Sequence, residues 1–163
     1  MGASGWVYFA PYQDDIDLAL QNLQEKVFKD GDYYLRPQIT YDPAHYADYP
    51  EEVRQQVSGW IEREKNYKKP ETIDELFEWN GDCGTHSILD IVMIKSAPEI
   101  ASAFPLPEDK LMELLGTNHP ERKIVEENAS EIMLIPGMWE AVYFTVYKND
   151  SPDEIVFFGV TGD

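Results

Sequence analysis

A chain of 163 residues with 31 acids against 13 Lys and Arg carries a net charge of −18. That length suits one domain and lets folding hide roughly 70% of the unfolded surface, so neither disulfides nor a metal is required to hold it together. The acids run through both halves of the chain, which excludes an acidic tail and disfavours direct nucleic-acid binding, where clustered Lys and Arg meet phosphate.

Residues 6–10 (WVYFA) read as a strand ended by Pro11. Asp14 is the expected N-cap of an amphipathic helix with Ile16, Leu20, Leu23 and Val27 on one face, stopped at Gly31. Half of the ten tyrosines then fall within residues 33–49, mixed with prolines; a short strand is expected at 33–36 and an ordered loop beyond it. A second helix opens at Asp48 and Pro50, with Val53, Val57, Trp60 and Ile61 inward. Its basic end, Arg63, Lys65, Lys68 and Lys69, reads as a solvated helix terminus that complements the dipole. Thr72 to Glu75 is a capping box for a third helix ended by Asn80-Gly81.

Residues 87–94 (SILDIVMI) are apolar on both alternating faces except at Asp90, the pattern of a central strand covered on two sides. Helices are expected at 108–115, closed by Gly116, and at 120–129, with a short strand at 131–135. The strongest β signal comes last: residues 139–147 and 154–160 are rich in aromatic and β-branched types and flank a loop at 149–153. The expected fold is therefore α+β over residues 1–163, a mixed and mostly antiparallel sheet with a C-terminal hairpin and about five flanking helices.

One cysteine permits no internal disulfide, and no apolar run approaches the roughly 20 residues that span a bilayer. The N-terminus has no basic region before its short apolar run. A cytoplasmic protein without a membrane partner is expected; monomer and homodimer stay open.

Two stretches carry candidate chemistry. Asp82, Cys83, His86 and Asp90 bring a thiol, an imidazole and two carboxylates to the start of the expected strand. Cys83 with His86 has the composition of an activated nucleophile, and Asp82, Cys83 and His86 that of three metal ligands. No second ligand pair accompanies them, and a polar turn around Gly81 and Gly84 uses the same residues structurally. Asp90, inside an apolar run, must either accept hydrogen bonds or line a pocket. In the extended register, His86 and Asp90 would lie about 13 Å apart, out of contact. The other stretch is the tyrosine-rich loop. Tyr41, Tyr46 and Tyr49 beside Asp42 and Asp48 suit a cationic protein or peptide, or else pin the loop to the body.

No phosphate-binding glycine loop, nucleophile elbow or C-x-x-C occurs, so no cofactor is expected. The segment Gly84-Thr85-His86-Ser87-Ile88-Leu89-Asp90 resembles the G-T-[HR]-S-I-L-D segment of a group of small bacterial proteins of unknown function. They also resemble this chain in an aromatic first strand ending in P-Y-Q, here Pro11-Tyr12-Gln13, and in an aromatic C-terminal hairpin. The resemblance implies a bacterial origin. An arginine tolerated at the position of His86 argues against a metal or base role for that residue. The function expected is a non-catalytic, acidic, immunity- or inhibitor-like binding protein for a basic partner. The alternative is a small enzyme or ligand sensor around Asp82, Cys83, His86 and Asp90.

Overall fold

The computed structural model describes residues 3–40 and 42–162, and its frame is one five-stranded sheet. The strands are β1 (Ala3–Pro11), β2 (Met93–Ile94), β3 (Ser102–Pro105), β4 (Glu140–Lys148) and β5 (Ser151–Gly162), in the spatial order β1-β5-β4-β3-β2. β5 pairs antiparallel with β1 and β4, whereas β3 runs parallel to both β4 and β2. The class is α+β with a mixed sheet, and β4 and β5 form the C-terminal hairpin.

Among the described residues, six α-helices flank the sheet: α1 (Ile16–Asp30), α2 (Glu51–Lys65), α3 (Ile73–Asn80), α4 (Glu108–Leu115), α5 (Arg122–Glu127) and α6 (Ala129–Ile132). Alternation along β5 decides the layering, because successive strand residues face opposite sides. Ile155 and Phe157 join Leu20, Leu23 and Val27 of α1 and Leu76 of α3 in one core. Val156 and Phe158 join Leu111 of α4, Val125 of α5 and Ile132 of α6 in the other. Gly159 allows this packing where Trp6 crosses β5, since a Cβ there would stand 2.0 Å from the indole. The Trp6 Nε1 donates to Thr161 Oγ1 at 3.0 Å, which fixes the ring in place.

Several expectations are corrected. The N-cap of α1 is Asp15, whose side chain accepts from the Leu18 N–H, and Gly31 closes the helix with φ +72°. Residues 33–36 make no strand; the Tyr34 N–H bonds Thr85 O, and Asn80 meets the rest, its Oδ1 accepting from Arg36 N and its Nδ2 donating to Tyr34 O. Residues 131–135 are likewise not a strand. The N–H groups of Met133 and Leu134 close helical turns onto Ala129 and Glu131, leaving the Leu134 side chain exposed. The hairpin loop contracts to Asn149-Asp150, both with positive φ, which is the twist a two-residue connection needs. The register shift at Val146/Tyr147 then brings Pro152 opposite Tyr147. β3 was not anticipated: a four-residue strand of Ser, Ala, Phe and Pro has too little β signal to stand out.

The largest correction is at residues 87–94. Ser87 caps a 3-10 turn, Ile88–Asp90, and the strand that follows is only Met93–Ile94, at the edge of the sheet. Ile88, Leu89 and Ile91 are fully buried all the same. Burial on all sides produced the apolar run; a strand was one of two backbones that could satisfy it.

Candidate functional site

The segment from Asn80 to Asp90 is a stack of turns that a carboxylate and an amide hold together. Asp90 is almost fully buried; its Oδ1 accepts from Thr85 N at 2.7 Å and its Oδ2 from Ser87 N at 3.4 Å. The Ser87 Oγ in turn accepts from Leu89 N at 3.2 Å and lies 2.9 Å from Thr85 Oγ1. Asn80 Nδ2 reaches Gly84 O at 2.6 Å. Gly84 is obligatory, for its φ is +67° and a Cβ would stand 2.5 Å from the Trp139 ring and 3.3 Å from Asp90 Oδ1. Asp90 thus spends both oxygens on backbone N–H groups and acts as the cap of the turn.

His86 sits above this turn with φ +53°, a left-handed conformation uncommon for a side chain with a Cβ. Its Nδ1 is 2.9 Å from Ser4 Oγ, its Nε2 is 3.1 Å from Cys83 O, and its ring leans on Tyr34 with centroids 4.8 Å apart. A neutral ring that donates from Nε2 to the carbonyl accepts from Ser4 at Nδ1. The geometry thus places the two ring nitrogens beside the Ser4 hydroxyl and the Cys83 backbone carbonyl. Among the described residues, no three His, Cys, Asp or Glu side chains converge as a metal site. His45, near Asp42, and His119, stacked on Tyr147, stand elsewhere.

Asp82 and Cys83 instead face a cleft of about 370 Å³ that they share with Arg36, Trp60, Glu64 and Trp79. Its floor is an Arg36–Glu64 ion pair at 2.6 Å, with both side chains largely buried. Burial alone would raise the Glu64 carboxyl pKa. The Ile39 N–H at 2.9 Å, the Arg36 hydrogen bond and the charges of Arg36 and Arg63 outweigh it and hold the carboxyl below the ordinary glutamate value. Arg36 also lies 4.3 Å from the Trp79 ring centre, and Trp79 Nε1 donates to Arg36 O at 2.7 Å. Arg63 donates to Glu78 O and Trp79 O at 2.6 and 3.1 Å, so it closes the C-terminus of α3 and not that of its own helix.

Sequence reading missed this network, although a signal existed. Val57, Ile61 and Glu64 follow one another at i, i+4 and i+7 along the inward stripe of α2, and Glu64 is more buried than Ile61. Trp60, expected inward, is about half exposed and belongs to the cleft rim.

The tyrosine-rich loop lies beside the first turn of α2. Asp42 caps the 3-10 turn Pro43–Tyr46 by accepting from Ala44 N at 2.9 Å. Tyr46 and Tyr49 lean on each other with ring centres 5.7 Å apart, Tyr46 half-buried and Tyr49 exposed. Asp42, Asp48, Glu51 and Glu52 are all exposed, and Arg54 pairs with Glu51 at 2.5 Å. Tyr41, expected to join this group, lies outside the described residues.

No family model matches the chain, and neither a curated protein nor a solved structure shows detectable similarity to it. Among the described residues, no helix is long and apolar enough to cross a membrane.

Proposed function

We propose that this is a cytoplasmic, non-catalytic binding protein whose partner is a basic protein, engaged through the loop that carries Asp42, Tyr46, Asp48 and Tyr49. The observation that supports the reading best is the composition of that surface: four exposed carboxylates and an exposed tyrosine in residues 42–52, on a chain of net charge −18. Carboxylates steer a cationic partner to the surface, and a stiff tyrosine pair supplies contact area at small entropic cost. Asp42 and the 3-10 turn it caps hold the two rings together before any partner arrives, a preorganisation that limits the ordering penalty of binding. An immunity- or inhibitor-like role fits this surface, since complementary charge speeds association.

The test is binding to a panel of small basic proteins at low and physiological salt. A double charge reversal, Asp42→Lys with Asp48→Lys, should weaken any hit at least ~tenfold, mostly through the association rate. The control reversal, Asp109→Lys with Glu113→Lys on α4, should leave the affinity within about twofold. Equal losses from the two reversals would reduce the chain to a nonspecific polyanion and remove the loop as the site.

The cleft favours a second reading, a small-ligand site, because it gathers Asp82 and Cys83 with Trp79 and Arg36. His86 and Asp90 do not line it, so an enzyme acting through all four of those residues has no support in this geometry. A Cys83→Ala protein that kept its thermal shift with every anionic or aromatic fragment screened would leave Cys83 without a part in that site.

A further inference from the structure

β1 is an edge strand of nine residues, and its backbone register shows which groups are left over. Every partner pair along β1 and β5 follows one continuous register, from Ala3 opposite Gly162 to Pro11 opposite Glu154. Tyr12 N donates to Asp153 O in the same register at 3.0 Å, which makes the even-numbered residues of β1 the hydrogen-bonded ones. The far side of β5 agrees: Val160, opposite Gly5, gives its carbonyl to Trp139 N at 2.7 Å and not to β1. The N–H and C=O groups of Gly5, Val7 and Phe9 therefore point away from the sheet. Pro11 stands at the next outward position, where a missing N–H costs nothing.

Gly5 and Val7 are exposed, and no described residue hydrogen-bonds the three outward backbones. The edge also lacks the usual deterrents. Residues 3–12 contain no charge, the β1–β5 register contains no bulge, and the one proline is at the end. The strand itself offers a cationic partner strand no carboxylate; the nearby Asp14 accepts from the Tyr12 hydroxyl, and Glu154 is paired with Arg122.

We propose that β1 pairs antiparallel with β1 of a second copy, about a two-fold axis at Val7, to make one ten-stranded sheet. The sequence complements itself in that register. Val7 faces its counterpart and Gly5 faces Phe9 of the other copy, so all three outward residues meet outward residues and exchange six backbone hydrogen bonds. Phe9 covers the glycine across the strand, a pairing that compensates for the missing side chain. On the opposite face Trp6 stands across from Tyr8 of the second copy. Met133, which lies against Gly5, and the exposed Leu134 after it continue the apolar surface beside the edge. This dimer is independent of the loop proposed to bind a basic protein.

Its ionic signature also separates it from that proposal. Two bodies of like charge repel, so salt should tighten the dimer, whereas it loosens an acid–base complex. Sedimentation over about three decades of protein concentration should show a monomer–dimer equilibrium that shifts towards dimer as salt rises from ~50 to ~500 mM. Val7→Lys places two cations face to face at the axis and should raise the dissociation constant at least ~tenfold with an unchanged circular-dichroism spectrum. Hydrogen exchange on the unaltered protein gives a second readout. The amides of Gly5, Val7 and Phe9 should be protected only at concentrations where the dimer forms. A monomer at every concentration and salt, a Val7→Lys protein that dimerises as well as the original, or a dimer in which those three amides exchange freely would each overturn the proposal.

Discussion

The C-terminal hairpin and the segment from Asn80 to Ile94 bury comparable apolar side chains, yet opposite means hold them. In β4 and β5 the backbone bonds to the backbone, and the side chains are free to alternate between the two cores. Between Asn80 and Asp90 the backbone bonds largely to side chains, with Asn80, Ser87 and Asp90 supplying acceptors and donors. The neighbouring strip, residues 34–39, is held in the same way by Asn80 and Glu64. A ladder spreads its stability over many equivalent bonds. A stitched turn rests on a few polar atoms, and each of them is a point of failure.

The comparison breaks most severely on the ladder side at its one point of close approach. Gly159→Ala forces a methyl to within 2.0 Å of a Trp6 ring that its hydrogen bond to Thr161 holds in place. A loss of about 3 kcal/mol or more is expected in chemical denaturation. Pairing it with Trp6→Leu should recover part of that loss, giving a coupling energy that independent effects would not produce.

Glu64→Ala comes next, at about 3 kcal/mol, because it strands Arg36 and the Ile39 N–H in a buried site. Its pH dependence has a definite sign. The folded carboxyl titrates below the ordinary value of ~4.3, so its contribution is complete above that pH and is lost as pH falls through the folded pKa. Acidification should therefore release amide protection in residues 34–39 while β4 and β5 remain protected. Simultaneous loss in both regions would mean that the strip and the hairpin unfold as one unit.

Asp90→Ala removes the acceptor of two N–H groups at once and should cost about 2 kcal/mol; Asp90→Asn, which keeps one acceptor, should cost about half of that. Equal effects would show that the charge of Asp90 matters more than its capping geometry.

The same contrast explains what could be read from the sequence. α1, α4 and the hairpin announce themselves because period, cap and stop signals agree over many residues, as from Ile16 to Gly31. Residues 87–94 misled because periodicity reports burial and not backbone shape: Ile88, Leu89 and Ile91 are covered on every side in a turn. The decisive local clue was Ser87 followed three residues later by Asp90, a capping pair that outranks the apolar run around it. The distance between His86 and Asp90, reckoned along a strand, lost its basis with that strand. The pairing of Arg36 with Glu64 was legible only on one side, through the helical spacing of Glu64, since nothing in residues 33–39 marks which carboxylate they will meet. The tyrosines and carboxylates of residues 42–52 were legible as a surface because exposure follows from their polarity, and the structure adds the ring pair of Tyr46 and Tyr49.

The smallest expected effect sharpens the ladder side from its tip. Asn149 and Asp150 both hold positive φ, at 51° and 60°, in the two-residue turn between β4 and β5. Asn tolerates that conformation well at the first position, and glycine is the best residue at the second. Asp150→Gly relieves the backbone and removes one carboxylate from a chain of net charge −18, at the loss of a long contact from Asp150 to His119 of 3.7 Å with Asp150 almost fully exposed. A gain of about 0.5 to 1 kcal/mol is expected in the denaturation midpoint, with no change in slope. A gain confined to slower unfolding would place the turn among the late-forming contacts, and a faster folding rate would make this hairpin part of the nucleus. The second outcome fits the topology better, because β5 is the strand that both β1 and β4 need, and the two-residue turn is the shortest connection in the sheet.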